Sequence, residues 1–374
     1  MEVTEKETAM SSPMILLGVF CLTLPVFIDG QNNQPFEMLY ENPSNNFPLK
    51  NIEFDLQMNN FFVSGKNVLY KFINDTLRET KKTGPEVRCL GGLSEEDNQA
   101  YCGNDYNSVM VITTDSLITC STLKGGLCVR RNNETLDPEV SSGNIRLVSD
   151  EKSPAIGIFL NVSDSRGPKN IILYAKQYTP LPLRLANLEE SVILSVSPEL
   201  STKELGASDF GENFDLFLRS PKTQTMDYRV VMENENFIFL LVNQNSKSKL
   251  VKICKTIDSS SSKKAYEDIP IICNKDGENL THVEHGTFVT VSGERLLVAL
   301  FSKLTTGRSS VCVFKESEIY EAFLKSRRHR FGCPKHDLKD TDMIFQGDNP
   351  YIASAFNLPM CINLPFNKTD EVNV

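Results

Sequence analysis

Residues 104–128 read NDYNSVMVITTDSLITCSTLKGGLC. Two apolar runs of strand length, Val109 to Thr113 and Leu117 to Cys120, follow one another closely, and Lys124-Gly125-Gly126 then supplies turn formers. Cys128 returns so soon after Cys120 that a bridge between them closes a small loop, a local staple. Short runs bounded by Gly, Asn and Ser are the signature of β-strands joined by tight turns.

The same texture extends both ways. Upstream lie Phe61 to Val63 and Val68 to Phe72, separated by Ser64-Gly65-Lys66-Asn67. Downstream come Ile156 to Leu160, Ile171 to Tyr174, Val192 to Val196, Arg229 to Met232, Phe237 to Val242, Leu250 to Ile253, Phe288 to Val291, Leu296 to Phe301 and Val311 to Phe314. Ser165-Arg166-Gly167-Pro168 and Val291-Ser292-Gly293-Glu294 are turn signals between them. Many short strands predict an all-β sandwich, barrel or propeller. One helix is predicted, Glu316 to Leu324, because Ile319, Tyr320, Phe323 and Leu324 share a face at helical spacing. Its continuation, Lys325-Ser326-Arg327-Arg328-His329-Arg330, reads as a solvated helix end whose cations complement the dipole; a polyanion patch is the other reading.

The formal charge of −9 over 374 residues leaves no basic field to gather phosphates and argues against nucleic acid. Met14 to Ile28 form an apolar stretch too short to span a bilayer comfortably, followed by Gly30, so residues 1–30 read as a signal peptide. The acidic MEVTEKETAMSS before it is atypical of a leader, and a buried hydrophobic helix is the alternative. No later segment has the ~18 apolar residues of a membrane span. Residues 31–50, rich in Asn, Gln and Pro, read as a flexible lead-in, and 51–374 as the folded domain. Of ten cysteines, nine remain after Cys21 leaves with the leader. None forms a CxxC pair, and four histidines are too few for a zinc framework. Sequons at Asn74, Asn133, Asn161, Asn279 and Asn367 predict a glycosylated surface on an exported chain.

Catalytic patterns are missing: no G-x-S-x-G elbow, no HExxH and no Walker A. Glu95-Glu96, Glu189-Glu190 and Asp227 near Arg229 offer carboxylates for acid–base chemistry, but such residues are usually solvated surface. His282 and His285 lack a third ligand nearby. The chain is therefore expected to be no enzyme, with neither metal nor cofactor.

Several segments in order resemble the sema domain of the plexin family. They are Asn67-Val68-Leu69-Tyr70 with Thr83-Gly84-Pro85 and Cys89; Asn104 to Ile112 with Leu117 to Ser121 and Gly126-Leu127-Cys128; Tyr178-Thr179-Pro180 with Arg184-Leu185; Asp227 to Val231 with Asn236 to Leu241; Val251 to Cys254 with Tyr266 to Cys273; and Ser310 to Phe314 with Ile319. The hepatocyte growth factor receptor branch shares several of these patterns, and semaphorins share the fold. The resemblance implies a seven-bladed β-propeller, incomplete here at about four and a half blades, with residues 51–374 as a sema domain truncated at its C-terminus.

Cys89–Cys102 and Cys120–Cys128 are local staples by their closeness, and the resemblance implies Cys273–Cys312 and Cys333–Cys361. Cys254 is then left unpaired by truncation, its family partner lying beyond Val374; a free or intermolecular thiol is the competing reading. The function implied is semaphorin recognition by a plexin-like receptor at the cell surface, with a semaphorin or other sema-domain protein as partner. A secreted decoy or semaphorin-like ligand is the alternative.

Overall fold

The computed structural model describes residues 49–55, 58–85, 103–123, 126–139, 155–164, 167–177, 191–198, 200, 217–220, 226–245, 247–255 and 266–332. The first sheet is β1 (Leu49–Asp55), β2 (Asn60–Gly65), β3 (Val68–Ile73) and β4 (Thr76–Lys82); the second is β5 (Asn107–Ile112), β6 (Ser116–Ser121) and β7 (Cys128–Asn132). The third holds β8 (Ala155–Asp164), β9 (Gly167–Lys176), β10 (Ser191–Val196) and β11 (Phe217–Ser220). In the fourth are β12 (Met226–Glu233), β13 (Phe237–Gln244), β14 (Lys247–Cys254) and β15 (Glu267–Pro270). A hairpin, β16 (Cys273–Lys275) and β17 (Glu278–Leu280), leads to the fifth, β18 (His282–Val291), β19 (Glu294–Lys303) and β20 (Arg308–Lys315). Helix α1 (Glu316–Gly332) follows.

Each sheet is an antiparallel meander in chain order, and the first strands touch in succession: β1 to β5, β5 to β8, β8 to β12, β12 to β18. That succession makes a propeller, with first strands innermost. The cores confirm it, because one lies between each pair of neighbouring sheets. Phe62, Leu69, Met110 and Leu117 join the first two sheets; Val109, Val111 and Ile118 meet Ile172, Tyr174 and Leu194 across the next boundary. Leu173 and Ile193 pack on Tyr228, Ile238 and Leu240, while Phe239 and Leu241 pack on Val283, Leu297, Ala299 and Phe301. Alternate side chains of β13 thus enter opposite cores, so Phe237 to Val242 is continuously apolar rather than alternating.

The all-β propeller expected from the sequence is present; the described residues form five sheets of three or four strands against about four and a half expected. Strand β1 begins at Leu49, two residues before the expected domain start. Helix α1 runs on to Gly332, past Leu324, and takes in the basic stretch 325–330. Glu316 and Glu318 in its first turn complement the helix dipole, and Ile319 and Phe323 are buried in the core between the fourth and fifth sheets. Strands of low hydrophobicity, such as β4 (TLRETKK) and β7 (CVRRN), carry no apolar run and are formed by pairing with β3 and β6.

The ring has two ends. Its proximal end is where first strands begin and where second and third strands are joined, as at Lys66-Asn67; its distal end carries the joins between first and second strands and between third and fourth, as at Asn74-Asp75. Bonds between neighbouring sheets respect this division. Asn67 N–H donates to Asp105 O at 2.7 Å at the proximal end, and Ser163 N–H to Lys255 O at 3.2 Å at the distal end.

Candidate functional site

Two of the segments singled out by sequence, Asn67 with Thr83-Gly84 and Asn104 to Asn107, meet at one joint. Asn67 occupies the left-handed region with φ at 65°, which asparagine tolerates in turns. Its side chain accepts the Asp105 N–H at 2.6 Å and donates to Asn104 Oδ1 at 2.8 Å. Thr83 N–H donates to Asn67 O at 2.9 Å. A Cβ at Gly84 would stand 2.5 Å from Asn67 Oδ1 and 3.0 Å from Asp105 Cβ, so only glycine fits beside this clasp. Ser64 Oγ donates to Asn107 O at 3.0 Å, and Asn107 Nδ2 to Thr83 Oγ1 at 3.3 Å. These residues fasten the first sheet to the second, and their role is architectural.

A second polar cluster lies on the innermost strands of the fourth and fifth sheets. Arg229 on β12 donates to Asp227 Oδ2 at 2.7 Å and lies 3.3 Å from Glu284 Oε2 on β18. Its Nη2 stands 2.8 Å from His282 Nε2. Both carboxylates are thus held by one guanidinium. Burial lowers the His282 pKa, with Glu284 and Asp227 opposing and Arg229 reinforcing the shift. His285, across a β-bulge from Val283, is lowered by burial alone. Neutral imidazole at His282 therefore accepts from Arg229.

Sequence reasoning missed the residues that fix this cluster. Asn243 on β13 donates to Val283 O at 2.8 Å and accepts Val283 N–H at 2.9 Å, so an amide side chain replaces a strand edge. Ser248 Oγ accepts the same N–H at 2.8 Å. A polar residue ending the run FIFLLV was the available signal. Gly286 on β18 was missed too: a Cβ there would meet Leu241 Cδ1 at 2.5 Å and Ala299 Cβ at 3.2 Å. Among the described residues no group of three His, Cys, Asp or Glu side chains is placed to hold a metal.

The structure contains Cys120–Cys128, directly opposed across β6 and β7, and Cys273–Cys312, which ties the β16–β17 hairpin to β20. Cys254 is disulfide-bonded, so the expectation that truncation leaves it unpaired is corrected. Its partner lies outside the described residues, and an odd cysteine count does not specify which thiol is left over. Cys89–Cys102 and Cys333–Cys361 also fall outside them, as do Glu95-Glu96, Glu189-Glu190, Asn367 and residues 1–48. Asn74 and Asn161 are exposed, Asn133 is half-buried, and all three lie at the distal end; exposed Asn279 lies on β17.

No protein-family model matches the sequence, and no curated protein matches it. Two structures of the plexin A4 full extracellular region match over 75% of this chain, with 17% identity and a TM-score of 0.58. This chain covers 35% of one of those chains and 28% of the other, about a third or less of their length. Extracellular domains 1-2 of Drosophila semaphorin 1a match over 73% of this chain and 54% of that chain, with 10% identity and a TM-score of 0.49. At such identity the likeness concerns the fold: this chain carries a sema-like, all-β propeller similar to part of the plexin A4 extracellular region.

Proposed function

We propose that this chain is the extracellular ligand-recognition part of a plexin-like semaphorin receptor, acting by binding another sema-domain protein and not by catalysis. The observation that carries the reading is the joint at Asn67, Thr83-Gly84 and Asn104 to Asn107. There two of the segments resembling the plexin sema domain meet in space, within a fold similar to that of plexin A4. The two described disulfides and four described sequons accord with a route through the oxidising secretory pathway. Recognition by such a ring uses surface patches and requires no cofactor. The proposed leader would deliver the chain to the cell exterior.

The test is expression with residues 1–30 retained in cultured secretory cells, followed by glycosidase treatment and surface plasmon resonance against a panel of semaphorin ectodomains. Secretion, a mobility shift on deglycosylation and saturable binding to one ectodomain are expected. Retention in the cytosol, or secretion without binding to any ectodomain of the panel, would overturn the reading.

A further inference from the structure

The cluster on the inner strands of the fourth and fifth sheets is built around one acceptor. His282 Nε2 on β18 stands 2.8 Å from Arg229 Nη2 of β12 and 3.3 Å from Asn243 Nδ2 of β13, so two donors of the fourth sheet aim at one lone pair of the fifth. The carboxylate oxygens nearest to it, Asp227 Oδ2 at 3.6 Å and Glu284 Oε1 at 3.8 Å, lie beyond hydrogen-bond range. Both are already engaged. Asp227 Oδ2 accepts from Arg229 Nη2 at 2.6 Å and Nε at 2.7 Å, and Glu284 Oε1 accepts from Ser302 Oγ at 2.5 Å. Arg229 Nη1 reaches Glu284 Oε2 at 3.3 Å. Arg229 thus crosses from β12 to β18 twice, once to Glu284 and once to His282. Among the described residues the charged groups acting on His282 are Glu284, Arg229 and Asp227; Asn243 of β13 and Ser302, its partner across β19, are uncharged.

A proton on Nε2 reverses this arrangement. An imidazolium accepts no hydrogen bond, so Arg229 and Asn243 each lose an acceptor, and Arg229 meets a like charge at bonding distance. Nε2–H then turns toward the carboxylates. With Asp227 Arg229 keeps two short bonds on its own strand, whereas both of its contacts with β18 are weakened. The bonds of Asn243 to the Val283 backbone carry no titrating group and remain. Acid therefore weakens this boundary without removing every link across it.

We infer that His282 is an acid-operated latch: at neutral pH it helps Arg229 to hold the inner strands of the fourth and fifth sheets together, and on protonation it releases Arg229 and loosens that boundary alone. The sign follows from linkage. Burial holds the His282 pKa below its ordinary 6.5, so the opened chain takes up the proton first. The stabilisation is complete above about pH 6.5 and is lost as pH falls toward the folded-state value. Histidine devices of this kind answer to the acidity of endosomal compartments, which a chain exported as proposed above would meet. The latch itself is a property of the fold and stands apart from the recognition reading.

The experiment is hydrogen exchange on the full chain at about pH 7 and about pH 5, read as protection factors so that the intrinsic pH dependence of exchange is removed. Wild type is compared with His282→Gln, whose side-chain oxygen accepts a bond and does not titrate, and with His285→Gln, since His285 is the neighbouring histidine on the same strand. Expected in wild type is a loss of protection at the Val283 amide of about tenfold on acidification, the scale of one hydrogen bond to a charged group, with Leu69 in the first sheet unchanged. His282→Gln should abolish the loss and His285→Gln should retain it. Protection at Val283 that does not change with pH, an equal loss in wild type and His282→Gln, or a loss abolished only by His285→Gln would each overturn the latch. If His282→Gln does not fold, nuclear magnetic resonance of the wild-type protein decides: the Arg229 side-chain Nε–H signal should shift together with the titration of His282, and an Arg229 signal that stays fixed while His282 titrates overturns the proposal.

Discussion

Replacing Asn243 by leucine keeps most of its volume and removes the bonds that join the fourth and fifth sheets at their inner edge. The amide donates to Val283 O at 2.8 Å and accepts Val283 N–H at 2.9 Å, with the residue 4% exposed. Each bond is worth about 1 kcal/mol net, and a buried carbonyl deprived of its donor costs about 1–3 kcal/mol more. Val283 N–H keeps Ser248 Oγ, so the loss should total about 2–4 kcal/mol. Because a ring of sheets can open in parts, the assay is hydrogen exchange at the Val283 amide together with urea unfolding. Asn243→Leu should speed exchange at Val283 far more than at Leu69 in the first sheet. Ser248→Ala should couple with it by about 0.5 kcal/mol or more, since Ser248 Oγ donates to Asn243 Oδ1 at 2.9 Å. Wild-type stability within about 0.5 kcal/mol and unchanged Val283 exchange would refute the reasoning.

Gly286→Val drives a branched side chain into Leu241 and Ala299 and should cost about 1–3 kcal/mol in urea unfolding; a neutral result would mean that the sheets separate freely at this point. Breaking Cys273–Cys312, with a sequence separation of 39, should lower stability by about 4 kcal/mol, whereas breaking Cys120–Cys128, with a separation of 8, should cost about 2.5 kcal/mol on loop entropy. Paired Cys→Ala variants in thermal unfolding test that order. His285, lowered by burial from its ordinary 6.5, gives full stability above about pH 6.5 and loses it as pH falls toward the folded-state value, because the unfolded chain takes up the proton first. His285→Gln should flatten the decline between pH 6.5 and 5 in thermal melts. Glu53 works in the opposite direction: burial pushes it from 4.5 up to about 8, so stability is lost as pH rises across that window. Glu53→Gln should raise the melting temperature at pH 8 and leave it unchanged at pH 4.

The strand content was legible from residues alone because a propeller sheet is covered on both faces. Runs such as Phe237 to Val242 must then be apolar throughout, and turn formers mark their ends. Helix α1 announced itself by the spacing of Ile319 and Phe323, and its basic continuation Lys325 to Arg330 read as a solvated helix end, but no apolar spacing marked where it stops at Gly332. β4, β7 and β11 were invisible, because a strand at the outer edge of a sheet is specified by its neighbour's unpaired backbone rather than by its own hydrophobicity.

By itself the sequence determined the all-β class, the propeller resemblance, the Cys120–Cys128 staple and the positions of the sequons. All of these depend on local periodicity or on motifs whose order survives in one dimension. Tertiary structure decided what those motifs do. It turned Asn67, Gly84 and Asp105 into a clasp between sheets, although Asn67 and Asp105 are far apart in the chain. It placed Arg229 between Asp227 and Glu284, on neighbouring sheets. It also gave Cys254 a partner. Contacts between distant segments depend on which strands become neighbours, and no periodicity along the chain encodes that.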